Sequence, residues 1–240
     1  MIKKALEYIN ELKAPALNRI DEQVYSDKPL HRISYNPKAE PLELNTLSSL
    51  VDYIKAGLDD RAESFIHIKS PTRIEMVSKL DDERDREKLV VVNALVPDFS
   101  FNRFIEHESF CINLQSKFLD HPNNQDKALL LKFAGTVEAG TIAEYGDDGV
   151  TQKATVKTGI VSKGEALVPS PVSLKPYRTF IEVDQPLSSF IFRMKQDKYD
   201  GIQCALFEAD GGAWKIEAMK NIKAYLEEQL ADAAGIIIIA

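Results

Sequence analysis

Cysteine is scarce in this chain, with only Cys111 and Cys204 in 240 residues. They lie far apart and in no metal-like spacing, which excludes a disulfide-stapled scaffold and a zinc ribbon. Two buried, reduced thiols of a cytosolic protein are expected instead. Histidine is equally thin. His31, His67, His107 and His121 occur singly, with no HxH or HExxH pattern, so no metal and no cofactor is expected. No apolar run approaches the ~20 residues that a membrane span needs. The opening MIKKALEYINELK starts like a signal peptide but lacks the apolar centre and small-residue cleavage site. No membrane partner is therefore expected, and a cytoplasmic location is. Positive charge is in deficit: the net charge is −7. That argues against a generic nucleic-acid or anionic-membrane surface and leaves room for a local basic groove. The Gly-x-Ser-x-Gly elbow, GxGxxG and GxxxxGK[ST] are all missing, and no Cys or Ser stands beside a His in a recognisable catalytic signature.

What is present is periodicity. Ile2, Leu6, Ile9 and Leu12 recur at helical spacing and Pro15 ends that helix. Its marginal length calls for docking on the body or on a neighbouring subunit. Residues 14–44 carry several prolines and no sustained period, and read as an extended connection. Asn45 or Thr46 is placed to cap a helix bearing Leu47, Leu50, Val51, Ile54 and Leu58, with Gly57 near its end. The runs 64–69, 73–77 and 89–96 then read as an antiparallel three-strand meander, with Pro71 at the first turn and the charged stretch 81–88 as a solvated loop. Two helices follow, one through Phe110, Leu114 and Phe118, the other through Ala128, Leu130 and Phe133.

The second half turns to β structure. Strands are expected at 141–145 and 150–158 around the turn Gly146-Asp-Asp-Gly149, with Lys153 and Lys157 on the wet face. Val168-Pro-Ser-Pro171 is too proline-rich for a central strand. Further strands are expected at 177–183, 189–194 and 202–207. Asp210-Gly-Gly then opens an amphipathic helix with Trp214, Ala218, Ile222, Tyr225, Leu226 and Leu230 on one side. The order of elements predicts an α+β fold: antiparallel sheets flanked by helices, and a C-terminal amphipathic helix followed by a short edge strand. Three regions are expected: residues 1–44, an α+β lobe at 45–139, and a β-rich lobe at 140–240.

The phrases DDGVTQKATVKTGI, PSPVSLKPYRTFIEVDQPLSSFIFRM and ALFEADGGAWKIEAMKNIKAYLEEQL resemble an uncharacterised family of phage and prophage proteins of Gram-positive bacteria, similar to the YfdQ-like prophage proteins. The resemblance covers roughly residues 45–239 and is strongest from Gly146 onward. It implies a setting, in phage DNA metabolism or in countering host defence, and no catalytic residues.

The chemistry-bearing candidates are few. Lys175, Tyr177, Arg178, Arg193 and Lys195 form the best ligand-site candidate. If strands 177–183 and 189–194 pair as a hairpin, these side chains meet at one end, where they can clamp a phosphate or stack a base. The competing structural reading pairs Arg178 and Arg193 with Glu182, Glu208 or Asp210. Those acids, with Asp184, are a weaker candidate for a Mg²⁺ site. Asp210-Gly-Gly is better explained as a helix start than as a phosphate loop. Glu106-His107-Glu108 invites interest, but adjacent helical residues diverge. The β-branched run Ile236, Ile237, Ile238 and Ile239 favours a strand that must be covered on both faces, and an intersubunit position makes it an oligomer interface. The expected function is a non-enzymatic, homo-oligomeric phage protein that binds or sequesters a nucleotide, nucleic acid or host defence protein. The alternatives are a metal-dependent enzyme on nucleic acid or nucleotides, and a ligand-free scaffold or shell.

Overall fold

A computed structural model describes residues 2–13, 15–20, 23–29, 38–59, 63–82, 84–142, 153–157, 163–197, 201–233 and 235–240. The chain forms two compact units, residues 1–39 and 40–240. The first holds helix α1 (Ile2–Lys13), as its heptad-like spacing predicts, and a hairpin of β1 (Leu17–Ile20) and β2 (Gln23–Ser26) that pairs Leu17 with Ser26. The hairpin was not expected in that proline-containing stretch.

In the second unit, β3 (Leu42–Leu44) leads into α2 (Leu47–Ala56). Thr46 caps this helix by accepting from the Ser49 N–H at 3.1 Å, and Gly57 ends it at φ +61°, a left-handed conformation that costs glycine nothing. The meander follows as expected in β4 (Ser64–Ser70), β5 (Arg73–Ser78) and β6 (Lys88–Asn93). Next come β7 (Ile105–Glu106), α3 (His107–Lys117), β8 (Phe118–Leu119), α4 (Asp126–Thr136), β9 (Val137–Ile142), β10 (Lys153–Lys157), β11 (Lys163–Leu167) and β12 (Val172–Pro176). The chain closes with β13 (Ser188–Asp197), β14 (Gly201–Glu208), α5 (Ala213–Gln229) and β15 (Ile237–Ile239). The mixture of helices and mainly antiparallel sheets is the α+β fold that the periodicities predict. No helix among the described residues is long and apolar enough to cross a membrane.

One sheet runs β15-β4-β5-β6-β3, with both outer strands parallel to their neighbours. The inward side chains are Ile66, Ile68, Ile74, Met76, Val90 and Val92, and α2 and α5 pack on that face through Leu47, Leu50, Ile54, Ile222 and Leu226. The other large sheet runs β7-β14-β13-β12-β8, and its core joins Phe190, Phe192, Met194 and Leu206 to Phe110 and Leu114 of α3 and Leu130 of α4. Strands β9, β10 and β11 form a small third sheet. The turn at 146–149 lies outside the described residues, as do the side chains of Lys153 and Lys157.

Two expectations need correction. A division near residue 140 does not separate the cores. The first core combines α2 and β4–β6 with α5 and with Phe180 and Val183. The second combines α3 and α4 with β12–β14. The last helix crosses back to cover the meander, so each core draws on both halves of the chain. Nor is 177–183 a strand: it belongs to the loop between β12 and β13. The Gln185 side chain replaces the missing strand partner. Its Oε1 accepts from the N–H groups of Arg178 (2.9 Å) and Thr179 (3.2 Å), and its Nε2 donates to the carbonyls of Phe180 (2.9 Å) and Val183 (3.3 Å). Buried backbone groups are thereby satisfied without a ladder. Gln185→Ala should cost about 2–4 kcal/mol by urea unfolding, because several buried groups lose their partner together. A change below about 0.5 kcal/mol would show that the loop does not depend on this side chain.

Candidate functional site

The five basic and aromatic residues expected to meet do not form one cluster. Arg178 is only 7% exposed. Its Nη1 donates to Glu208 Oε1 at 2.6 Å and its Nη2 to the Ser188 hydroxyl. The guanidinium lies 4.0 Å from the Trp214 ring centre and over Phe101 and Phe190 at 5.2 and 5.3 Å. Burial lowers its proton affinity, and the charges of Glu208 and Asp210 act against that. Lys175 pairs instead with Asp184 at 2.5 Å. Arg193 donates to Ser170 Oγ and to the Phe192 carbonyl, and Lys195 sits 4.7 Å from the Phe104 ring centre. Strand alternation explains the separation. Phe190, Phe192 and Met194 face the second core, so Arg193 and Lys195 project to the opposite face of β13 from Phe190, against which Arg178 stacks. Tyr177 is half-buried and continues the pairing of β12 with β8 by donating its N–H to the Lys117 carbonyl at 3.0 Å.

The carboxylates proposed for Mg²⁺ are likewise dispersed. Glu182 caps α2 by accepting from the Leu47 N–H at 2.8 Å. Glu208 also accepts from Trp214 Nε1 at 3.2 Å. Asp210 Oδ1 takes the Gly212 N–H at 3.0 Å, which makes 210–212 the turn into α5, with Gly211 and Gly212 at φ +61° and +83°. No group of three metal-ligating side chains occurs among the described residues.

One pair escaped the sequence reading. His107 and Cys111, one turn apart on α3, place Nε2 and Sγ 3.8 Å apart. The spacing i, i+4 was the available signal. The geometry does not make a nucleophile. His107 Nε2 lies 2.9 Å from the Ala134 carbonyl, which only accepts, so Nε2 carries the proton and has no lone pair for the thiol. Burial, then Glu106, pushes the Cys111 thiol up, away from thiolate. Glu106 caps α3 by accepting from the Ser109 and Glu108 N–H groups, which hold its carboxyl below the usual range.

The open side of the first sheet carries the most unusual chemistry. Two cross-strand rows define it: Ile237–Phe65–Val77–Lys88, and Ile239–His67–Glu75–Val91–Glu43. Glu75 has a side chain only 5% exposed. Arg73 donates Nε at 3.0 Å and Nη2 at 2.8 Å to it, Lys88 Nζ stands at 3.3 Å, and Lys69 Nζ at 3.5 Å. Burial alone would raise the Glu75 carboxyl, but the bonds from Arg73 and Lys88 and the charges of Lys69 and Lys88 outweigh it and hold it down. Beside this ring, a depression of about 390 Å³ is lined by Phe65, His67, Val77, Arg86 and Ile239 together with Glu75 and Lys88. Arg86 crosses the Phe65 ring at 5.1 Å.

No protein-family model, curated protein or solved structure matches the chain.

Two outcomes follow from the two charged centres. Arg178→Ala should cost about 2–4 kcal/mol, because truncation removes a buried side chain packed on three rings and leaves the buried Ser188 hydroxyl without its partner, while Glu208 keeps Trp214 and solvent. Arg178→Lys should recover only part, since an ammonium cannot span both acceptors and the rings. Equal melting temperatures for all three proteins would show the clamp to be dispensable. Glu75 has a folded pKa below its unfolded value of 4.5, so its stabilisation is present above that value and lost as pH falls through the folded pKa. The stability gap between the unmodified chain and Glu75→Gln should thus be widest near pH 7 and shrink towards about pH 3. Parallel melting curves across that range would contradict this.

Proposed function

We propose that this chain is a non-enzymatic, self-associating binding protein. The observation that carries the reading is the terminal strand. β15 pairs with β4 on one edge and forms the margin of its sheet. Ile237 and Ile239 are 59% and 45% exposed beside Phe65, whereas Ile236 and Ile238 pack on the first core. The strand therefore joins its own sheet and covers one face only, where cover on both faces had been expected. Its three residues make it short, but it carries no lysine, proline or bulge to blunt the edge. A second copy meeting it antiparallel across a two-fold axis supplies backbone partners and covers these side chains at once. Fully burying one isoleucine stabilises by roughly 1.5–3 kcal/mol.

The prophage-like phrases within residues 45–239 support a setting in phage DNA metabolism or host-defence antagonism, in the cytoplasm of an infected or lysogenic bacterium. Mass photometry combined with the absorbance ratio at about 260 and 280 nm tests the reading. The unmodified chain should appear as an oligomer, and Ile237→Lys/Ile239→Lys as a folded monomer. Identical mass distributions for the two proteins would remove the edge-strand interface. Metal-dependent turnover of a nucleotide or nucleic acid by the purified chain would replace the binding role with an enzymatic one.

A further inference from the structure

We propose that the cationic ring around Glu75 is a binding site for a small phosphate monoester. Its dianion sits over Lys69, Arg73 and Lys88, and its aromatic or apolar part lies in the depression beside Phe65 and Val77, inward of the strand margin. This deepens the binding role above and does not need self-association.

The argument begins with charge. Three cations converge on one carboxylate, which leaves an excess of two positive charges at one spot on an acidic chain. Adding Arg86 and Glu43 of the same face leaves that excess unchanged, as does the Lys79–Glu63 pair at its margin. A pairing that served only stability has no use for the surplus: half-exposed ion pairs contribute little, and each added cation repels the others. Here the three side chains are between 41% and 49% exposed, while the carboxylate beneath them is enclosed. A phosphate monoester carries close to two negative charges at neutral pH and three acceptor oxygens.

Donors and geometry agree with the charge. Arg73 spends Nε and Nη2 on Glu75 and Nη1 on Asn93 Oδ1 at 3.3 Å. Lys88 directs one hydrogen bond at Glu75, and Lys69 stands within ion-pair distance. An ammonium has three N–H groups, so both lysines retain donors for an oxygen above the sheet. Glu75 sits on the central strand β5, flanked by β4 and β6, so its carboxylate is the group that competes with an incoming anion for these cations. Lys88 and Glu75 also line the depression that Phe65, Val77 and Ile239 make apolar, and its volume falls in the range of small-molecule sites.

Isothermal titration of the full chain with adenosine monophosphate and with inorganic phosphate, in chloride buffer at low ionic strength, tests this. Both should bind, the nucleotide more tightly, and both more weakly as salt rises. Lys69→Ala and Lys88→Ala should each weaken the nucleotide about tenfold, the loss of one charge-assisted bond. Glu75→Gln, which keeps every cation and removes the competing carboxylate, should tighten it, and this variant decides the matter if the lysine variants do not fold. No heat from either probe at millimolar concentration overturns the site, as does an affinity unchanged in folded Lys69→Ala/Lys88→Ala or not increased in Glu75→Gln. Equal affinity for phosphate and nucleotide removes the apolar half of the proposal. Mass photometry on the same samples keeps the outcomes separate: an intact oligomer that binds neither probe overturns this site and leaves self-association standing.

Discussion

The fold turns on the Arg178 guanidinium, which joins two cores that have no strand in common. Its loop leaves the second sheet after β12 and lends Phe180 and Val183 to the first core. The Thr179 hydroxyl donates to the Pro71 carbonyl at the β4–β5 turn, so a side-chain hydrogen bond ties the loop to the first sheet as well. Arg178 meanwhile grips Glu208 at the end of β14 and stacks on Trp214 in the first turn of α5. That helix buries Ala218, Ile222 and Leu226, the last two in the first core. One cation thus holds both the end of β14 and the first turn of the last helix, which the Asp210–Gly212 turn begins, and the helix in turn covers the meander. Desolvating a guanidinium is costly unless its donors and its charge are met. Here a carboxylate and a hydroxyl take Nη1 and Nη2 and three aromatic faces lie against the charge, while Nε is buried without a hydrogen-bond partner.

The contrast with Glu75 separates a charge that builds from a charge that is available. At Arg178 one buried cation faces Glu208 directly, with the Asp210 charge nearby, and the rings shut out solvent. No net positive charge is left there for an anion, since Glu208 and Asp210 together outnumber the one cation. At Glu75 the buried group is the anion, and its partners are long, half-exposed and more numerous than it needs. The first arrangement has a low local dielectric and little freedom. The second keeps its charged ends in water, where an incoming anion can exchange hydration for direct contacts.

Local periodicity made much of the fold legible. The strands at 64–69 and 73–77, the helix cap, which falls on Thr46 of the two candidates Asn45 and Thr46, and the exit at Gly57 each depend on near neighbours, and each stands where it was read. Three readings failed because they needed distant ones. The apolar pattern from Tyr177 to Val183 looks like a strand, yet Gln185 folds it back on itself through side-chain bonds that no period reports. The boundary at 140 assumed that neighbours in sequence share a core, whereas α5 returns to the meander. The basic candidates were chosen by adjacency in an imagined hairpin, and the alternation of β13 separates them. The Glu75 ring was hidden for the converse reason. Its members come from three strands and share no local motif, Lys88 having been read with the solvated stretch 81–88, and only the register opposing His67, Glu75 and Val91 draws them together.

An anion site on a chain of net charge −7 raises the question of which field a ligand meets. At physiological ionic strength the screening length is about 8 Å. Charges spread over the rest of a 240-residue chain act mostly beyond that distance, whereas Lys69, Arg73 and Lys88 stand within hydrogen-bond or ion-pair reach of one carboxylate. The local excess therefore governs contact, and the global charge governs approach. Such a surface discourages long polyanions, whose many phosphates would sample the acidic remainder, and favours a compact anion that fits inside the positive region. The same reasoning applies to the strand margin at Ile237 and Ile239. An overall negative charge opposes indiscriminate clustering, so an uncharged edge can associate only where geometry lets backbone and side chains meet together.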